Sequence, residues 1–114
     1  MSNPSKRAQR IAELNDKFRT ALGVYPGKVV QTHGISSLSQ ADQSAIREKV
    51  ETYTDFNEGN NPYGERDFGK IVHNGETIFW KIDYYDLAYE YGSEKPEDAT
   101  VTRRVLTILL AAEY

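Results

Sequence analysis

At 114 residues, with 14 Lys+Arg against 17 Asp+Glu and a formal net charge of −3, the chain has room for one domain with a real hydrophobic core. It has no cysteine and only two histidines, which excludes a disulfide framework, thiolate metal sites, a cysteine nucleophile and a zinc centre built mainly from imidazoles. No apolar run approaches the roughly 18 residues of a membrane span, and residues 1–22 lack the apolar stretch of a signal peptide, so a cytoplasmic, single α+β domain over residues 1–114 is expected.

Residues 5–22 predict an amphipathic helix. Ala8, Ile11, Leu14, Phe18 and Leu22 recur at spacings of three and four, Ser5 stands where a cap is needed, and Gly23 can close the helix with Pro26 just beyond. Lys28 to His33 predicts a strand on the β-branched Val29 and Val30, broken by Gly34. A second helix is predicted after Ser39, where Ser39-Gln40-Ala41-Asp42 resembles a capping box with Asp in place of Glu; Ile46, Val50 and Tyr53 give it a narrow apolar stripe. Asn57 to Gly64 is a loop by composition.

Asn74-Gly75 is the sharpest local signal. Between Phe68–His73 and Glu76–Asp83 it predicts a two-residue type I′ hairpin, which sets His73 opposite Glu76, Ile71 opposite Ile78, Gly69 opposite Trp80 and Arg66 opposite Asp83. Ile78, Trp80 and Ile82 then share the core face, with Trp80 over Gly69. From Tyr84 to Tyr91 a bend and a further strand are expected, with a helical turn as the alternative. Pro96 suits the first turn of a closing helix whose buried face is Val101, Val105, Ile108, Leu109 and Ala112, with Arg103 and Arg104 pointing away. The expected architecture is α+β: a small antiparallel sheet, made of the Asn74-Gly75 hairpin and one or two further strands, packed against N-terminal, middle and C-terminal helices.

Charge is uneven along the chain. Residues 1–28 carry +4, residues 29–69 carry −4 and residues 70–114 carry −3. A basic first helix docked on its own acidic body is one reading and a small contact for an acidic partner is the other; so few cations make direct nucleic-acid binding unexpected.

Four constellations are candidates for chemistry. Gly64-Glu65-Arg66-Asp67-Phe68-Gly69-Lys70 fits seven positions of a phosphate loop, but Ile71 replaces the hydroxyl residue and a strand, rather than a helix, is expected to follow. Glu65, Asp67, Asp83 and Asp86 form an acid cluster that would hold a hard cation or divide acid and base roles if it converged; the competing reading is an Arg66–Asp83 cross-strand ion pair, with Asp86 capping the bend. His73 at the turn is expected to be solvated, and His33 has no acid or nucleophile beside it in sequence. The segment Asp83–Asp98 is unusual in pairing acids with tyrosines. Asp83, Tyr84, Tyr85, Asp86, Tyr89, Glu90, Tyr91 and Glu94 would form a protein-binding surface, since tyrosine joins a large apolar ring to a polar tip and spaced carboxylates imitate phosphates.

The stretches Asn61-Pro62-Tyr63-Gly64-Glu65-Arg66-Asp67-Phe68-Gly69, Phe79-Trp80-Lys81-Ile82-Asp83-Tyr84-Tyr85-Asp86 and Thr102 to Tyr114 together resemble a family of small bacterial proteins known as domain of unknown function 3768. Arg10 to Asp16 and the strand ending at Thr32 also fit it. The family is frequent on proteobacterial plasmids, phages and integrated elements and carries no established activity. This chain departs from its pattern twice: Asn60-Asn61-Pro62 stands for Asn-Asp-Pro, and Glu65-Arg66-Asp67 for Glu-His-Asp, which weakens any shared acid–base chemistry there.

The resemblance and the Asp83–Asp98 composition together give the leading expectation. It is a non-enzymatic protein-binding module of a mobile genetic element, an inhibitor of a host nucleic-acid-binding defence system of the anti-CRISPR or anti-restriction type. A small metal-dependent or acid–base enzyme and a homodimeric structural protein are the alternatives. No cofactor, bound metal or membrane association is expected.

Overall fold

The computed structural model describes residues 5–114. In chain order they form α1 (Lys6–Thr20), β1 (Gly27–Gln31), the one-turn α2 (His33–Ser36), α3 (Gln40–Glu51), β2 (Phe68–His73), β3 (Glu76–Tyr85), β4 (Arg103–Leu110) and a 3₁₀ turn (Ala111–Glu113). The four strands make one sheet in the order β1-β4-β3-β2. The α+β class holds.

Local signals placed the helices well. Ser5 caps α1, its hydroxyl accepting from the Ala8 N–H at 3.0 Å, and Ser39 caps α3 in the same way through Asp42 at 3.1 Å. Ala8, Ile11, Leu14 and Phe18 are buried along α1, as are Ile46, Val50 and Tyr53 on and just after α3. The hairpin has the predicted register, and Asn74 (φ 50°) and Gly75 (φ 78°) both take the left-handed conformation that a type I′ turn requires.

Four expectations need correction. The closing helix is instead strand β4, which lies between β1 and β3. Arg104 therefore points inward and is 5 % exposed, because it shares a face with Leu106 and Ile108. The sheet is mixed rather than antiparallel: β1 runs parallel to β4, pairing Val29 with Leu106 and Gln31 with Ile108. β1 ends at Gln31, and His33 opens α2. Finally, residues 86–102 form no sheet strand, so the further strand expected within Tyr84–Tyr91 is absent. The chain turns back at once through Tyr89 (φ 58°), with Asp86 N–H bonded to Tyr91 O at 2.8 Å and a single bridge between Tyr85 and Gly92.

All three helices lie against one face of the sheet. Phe18, Ile35, Ile46 and Val50 from the helices meet Ile71, Ile78, Trp80, Ile82, Leu106 and Ile108 from the strands in one core. The rings of Tyr53, Phe56 and Trp80 pack edge to face within it. Two polar residues join this side. Asn15 and Arg19 follow Ile11 at steps of four, so they fall on the apolar stripe of α1 and are buried with it. Arg19 Nη1 donates to Val50 O at 2.8 Å and to Glu51 O at 3.3 Å, satisfying carbonyls at the C-terminal end of α3.

Candidate functional site

The four carboxylates take separate partners, although Glu65 and Asp83 lie near enough to Asp67 for their charges to act on it. Asp83 projects from the outer face of β3 and pairs with Lys81 at 3.0 Å. The expected Arg66–Asp83 pair does not form. Arg66 sits at φ 57°, which swings it out of the strand, over the Phe56 ring at 4.3 Å and beside Asp16 at 3.2 Å. Asp86 caps the turn after β3, its carboxylate accepting from Glu90 N–H at 3.0 Å. Glu65 accepts from the Tyr84 hydroxyl at 2.8 Å. Asp67 is the perturbed member: burial, then the charges of Glu65 and Asp83, push its pKa up. Among the described residues, no group of three or more His, Cys, Asp or Glu is placed to hold a metal ion.

Beneath Glu65 lies a polar network that spacing alone did not reveal. Asn15 Nδ2 donates to Glu65 O at 2.9 Å and to the Tyr84 hydroxyl at 2.8 Å, while Asn15 Oδ1 accepts from Arg104 Nε at 2.6 Å. Arg104 Nη2 continues to Pro96 O at 2.7 Å, and the guanidinium lies 5.1 Å from the Tyr84 ring centre. One asparagine thus ties α1, the loop before β2, β3 and β4 together. Burial raises the pKa of Tyr84 above the usual phenol range. Tyr84 is committed to this interior network and leaves the candidate contact surface.

His73 is likewise not solvated. Lys49 Nζ lies 3.2 Å from His73 Nδ1, so Nε2 is the nitrogen that donates to Asp42 Oδ1, at 2.9 Å. The contact clamps α3 to the hairpin. His33 Nε2 has a weak contact with Ser37 Oγ at 3.4 Å.

The remaining members of the acidic, tyrosine-rich set divide by position. Tyr89 covers the Lys28 ammonium at 4.2 Å, Tyr85 lies on the outer face of β3, and Glu90, Glu94 and the 72 %-exposed Tyr91 stand in solvent. Glu97 pairs with Arg7 at 3.2 Å and Asp98 caps Thr100. Of the segment's six acids, two therefore remain uncommitted among the described residues.

Next to this segment lies the face of the sheet opposite the core. Lys28 and Val30 of β1, Arg103, Val105, Thr107 and Leu109 of β4, Phe79, Lys81, Asp83 and Tyr85 of β3, and Phe68, Lys70 and Val72 of β2 share it by register. Val72 is 55 % exposed and Val30 is 40 % exposed. Phe68, Phe79 and Tyr114 pack on one another there, with centroids 5.2 and 5.5 Å apart.

A family model described as Protein of unknown function (DUF3768) matches residues 31–113. The chain belongs to this family. No curated protein and no solved structure matches it. The matched span of this DUF3768 chain takes in α2, α3 and strands β2 to β4, together with the loop whose residues departed from the family's pattern.

That loop is built by side-chain amides. Asn57 Oδ1 accepts from Gly59 N–H and Asn60 N–H, Asn60 Nδ2 reaches Tyr53 Oη and Asp55 O, and Asn61 Oδ1 accepts from Arg66 N–H at 2.8 Å. Asn61 therefore fixes the left-handed Arg66, a structural task that a carboxylate oxygen would perform equally well. The phosphate-loop resemblance ends here, because the strand β2, rather than a helix, follows the loop. Among the described residues, no helix is long and apolar enough to cross a membrane.

Proposed function

We propose that this DUF3768 chain is a non-enzymatic binding module that docks a protein partner on the uncovered face of its sheet. The observation that carries this reading is the make-up of that face. Val30 and Val72 stand exposed on the edge strands β1 and β2, Val105 and Phe79 lie on the strands between them, and Lys28, Lys70, Lys81 and Arg103 are interspersed among them, with Asp83 as the one carboxylate in the register. Exposed apolar side chains interleaved with polar and charged ones are the make-up of a protein interface. The charge excess selects a partner whose rim is acidic. A second copy presenting the same face would set cations against cations, which disfavours an isologous dimer. A single-stranded nucleic acid would need free ring faces to stack on, whereas Phe68, Phe79 and Tyr114 use their rings on one another.

Glu90, Tyr91 and Glu94 stand exposed in the segment after β3, outside that register. A host protein met by a mobile element is the partner class that goes with the family resemblance, and a nucleic-acid-binding defence component is the narrower form of that proposal.

The test uses the full chain as bait in a proteobacterial lysate, with and without nuclease, followed by binding of the purified partner. The expected partner survives nuclease treatment, carries an acidic contact surface, and binds the Lys70→Glu/Val72→Asp variant at least about tenfold more weakly while Glu90→Lys changes little. Loss of capture on nuclease treatment, or full binding by the sheet-face variant, overturns the reading.

A further inference from the structure

β1 and β2 are the two edges of the sheet, and the folded chain treats them differently. On β2, Asp67 O accepts from Ile82 N–H at 2.9 Å, so by register the odd-numbered residues turn their backbone to β3 and Phe68, Lys70 and Val72 turn theirs outward. α3 and the residues just after it cover that edge. Lys49 Nζ donates to Val72 O at 2.8 Å, and the Tyr53 hydroxyl takes a backbone hydrogen bond from Lys70.

β1 has no such cover. Thr32 N–H bonds to Ile108 O at 3.1 Å while Gln31 is in register with Ile108, so Lys28, Val30 and Thr32 turn their backbone to β4. The N–H and C=O groups of Gly27, Val29 and Gln31 therefore point to the open side of the sheet. The Gln31 side chain is engaged with Gln43 and Ser36 and does not turn back on them. A strand edge in this state is a template for another strand. We propose that β1 pairs antiparallel with β1 of a second copy of this chain, about a two-fold axis at Val29.

The strand is self-complementary in that arrangement. Val29 meets Val29 of the other copy, Gly27 meets Gln31, and the outward backbone groups of each strand find partners on the other. On the outer face Lys28 falls opposite Val30 of the other copy, so the two lysines do not oppose each other. The Lys28 ammonium is already held over the Tyr89 ring of its own chain at 4.2 Å. Val24, 71 % exposed, and Tyr25, 45 % exposed, precede β1 and would lie beside the start of α2 of the other copy. An unrelated strand would use the backbone groups alone. The matching of Lys28 with Val30 and of Gly27 with Gln31 is what favours the chain's own copy. Such a dimer joins edges, not faces. It extends one sheet through both copies and leaves their outer faces open on the same side, so it is distinct from the sheet-face docking proposed above.

Sedimentation equilibrium on the full chain, from about 1 µM to about 500 µM, tests this. The mass is expected to rise from 13.0 kDa toward twice that value, with Kd below about 100 µM. Val29→Pro removes an N–H that points to the open side, and Val30→Lys sets a second lysine against Lys28. Each is expected to raise Kd at least about tenfold while the circular dichroism of the fold is retained. Lys70→Glu/Val72→Asp, on the other edge strand, is expected to dimerise as the wild type does. The Val29 and Gln31 amides should exchange with deuterium more slowly as concentration rises through Kd. A monomer at every concentration, wild-type dimerisation by Val30→Lys, or exchange at Val29 and Gln31 that ignores concentration overturns the proposal. A dimer lost in Lys70→Glu/Val72→Asp and kept in Val30→Lys also overturns it, and assigns self-association to the sheet face.

Discussion

Gly69 and Trp80 face each other across β2 and β3, and the indole occupies the space that a side chain at position 69 would need. A Cβ there would overlap Trp80 and press on the Tyr53 ring, both in the rigid aromatic centre of the core. Gly69→Ala is therefore expected to destabilise the fold by about 1–3 kcal/mol, the usual cost of overpacking. Urea unfolding followed by Trp80 fluorescence measures it, and an unchanged midpoint would show that the indole has room to shift.

Arg19 carries a second stability prediction. Its guanidinium, 2 % exposed by residue, lies 5.2 Å from the Trp80 ring centre and 5.4 Å from that of Phe56 while donating to Val50 O. Arg19→Ala would remove a charged donor from Val50 O and Glu51 O and open a void beside Trp80. The expected loss is about 3 kcal/mol or more. Arg19→Lys should recover only part of it, because an ammonium lacks the planar fork. Equal stability of the Lys variant and the wild type would rule out the capping role.

Tyr84 should hold its proton after exposed phenols have lost theirs. Burial raises its folded pKa, so the stabilisation is fully present below the unfolded value near 10 and is lost as pH rises beyond it. Tyr84→Phe should remove the late step of the ultraviolet alkaline titration. At neutral pH it should cost about 1–2 kcal/mol through the lost Asn15 and Glu65 bonds. Persistence of the late step in the variant would assign it to another tyrosine.

Two carboxylates should give opposite acid-limb behaviour. Asp42 is held below the ordinary range by hydrogen bonds, first from His73 and then from Ser39, so its contribution is complete above about pH 4 and disappears as pH falls through the lowered value. Asp42→Asn should therefore melt below the wild type at pH 7 and coincide with it at about pH 2.

Asp67 behaves in the reverse sense. Burial raises its folded pKa, so its contribution is present below about pH 4 and is lost as pH rises through the raised value. Asp67→Asn cannot ionise and should melt higher than the wild type at pH 7, by about 2–4 °C. A lower melting temperature would mean that the Asp67 charge has a favourable partner.

Short-range chemistry made much of this molecule readable in advance. Ser5, Ser39 and Asn74-Gly75 act through atoms within four residues, and each formed what its type and position required. β4 carries a helical rather than a strand pattern because its burial depends on distant chain. Leu109 faces outward yet is 5 % exposed beside its register partner Phe79, so Ile108 and Leu109 are apolar on both faces and the strand's alternation is lost. Arg104 on the inner face interrupts it again, and Val101, Val105, Ile108 and Ala112 then happen to fit a helical period. The same limit hid the interior network. Asn15 sits on the apolar stripe of α1, which marks it as buried, but its partners Glu65, Tyr84 and Arg104 come from three other segments that only the folded topology brings together.

The central position of β4 has a consequence for synthesis. It follows β1, β2 and β3 in the sequence yet separates β1 from β3 in space. A nascent polypeptide emerging from the ribosome thus holds a hairpin and a lone segment with nothing to join them until residues 103–110 clear the exit tunnel. Cotranslational assembly of this sheet must wait for its keystone, and until that moment two unsatisfied edges are open to chaperones or to misassociation.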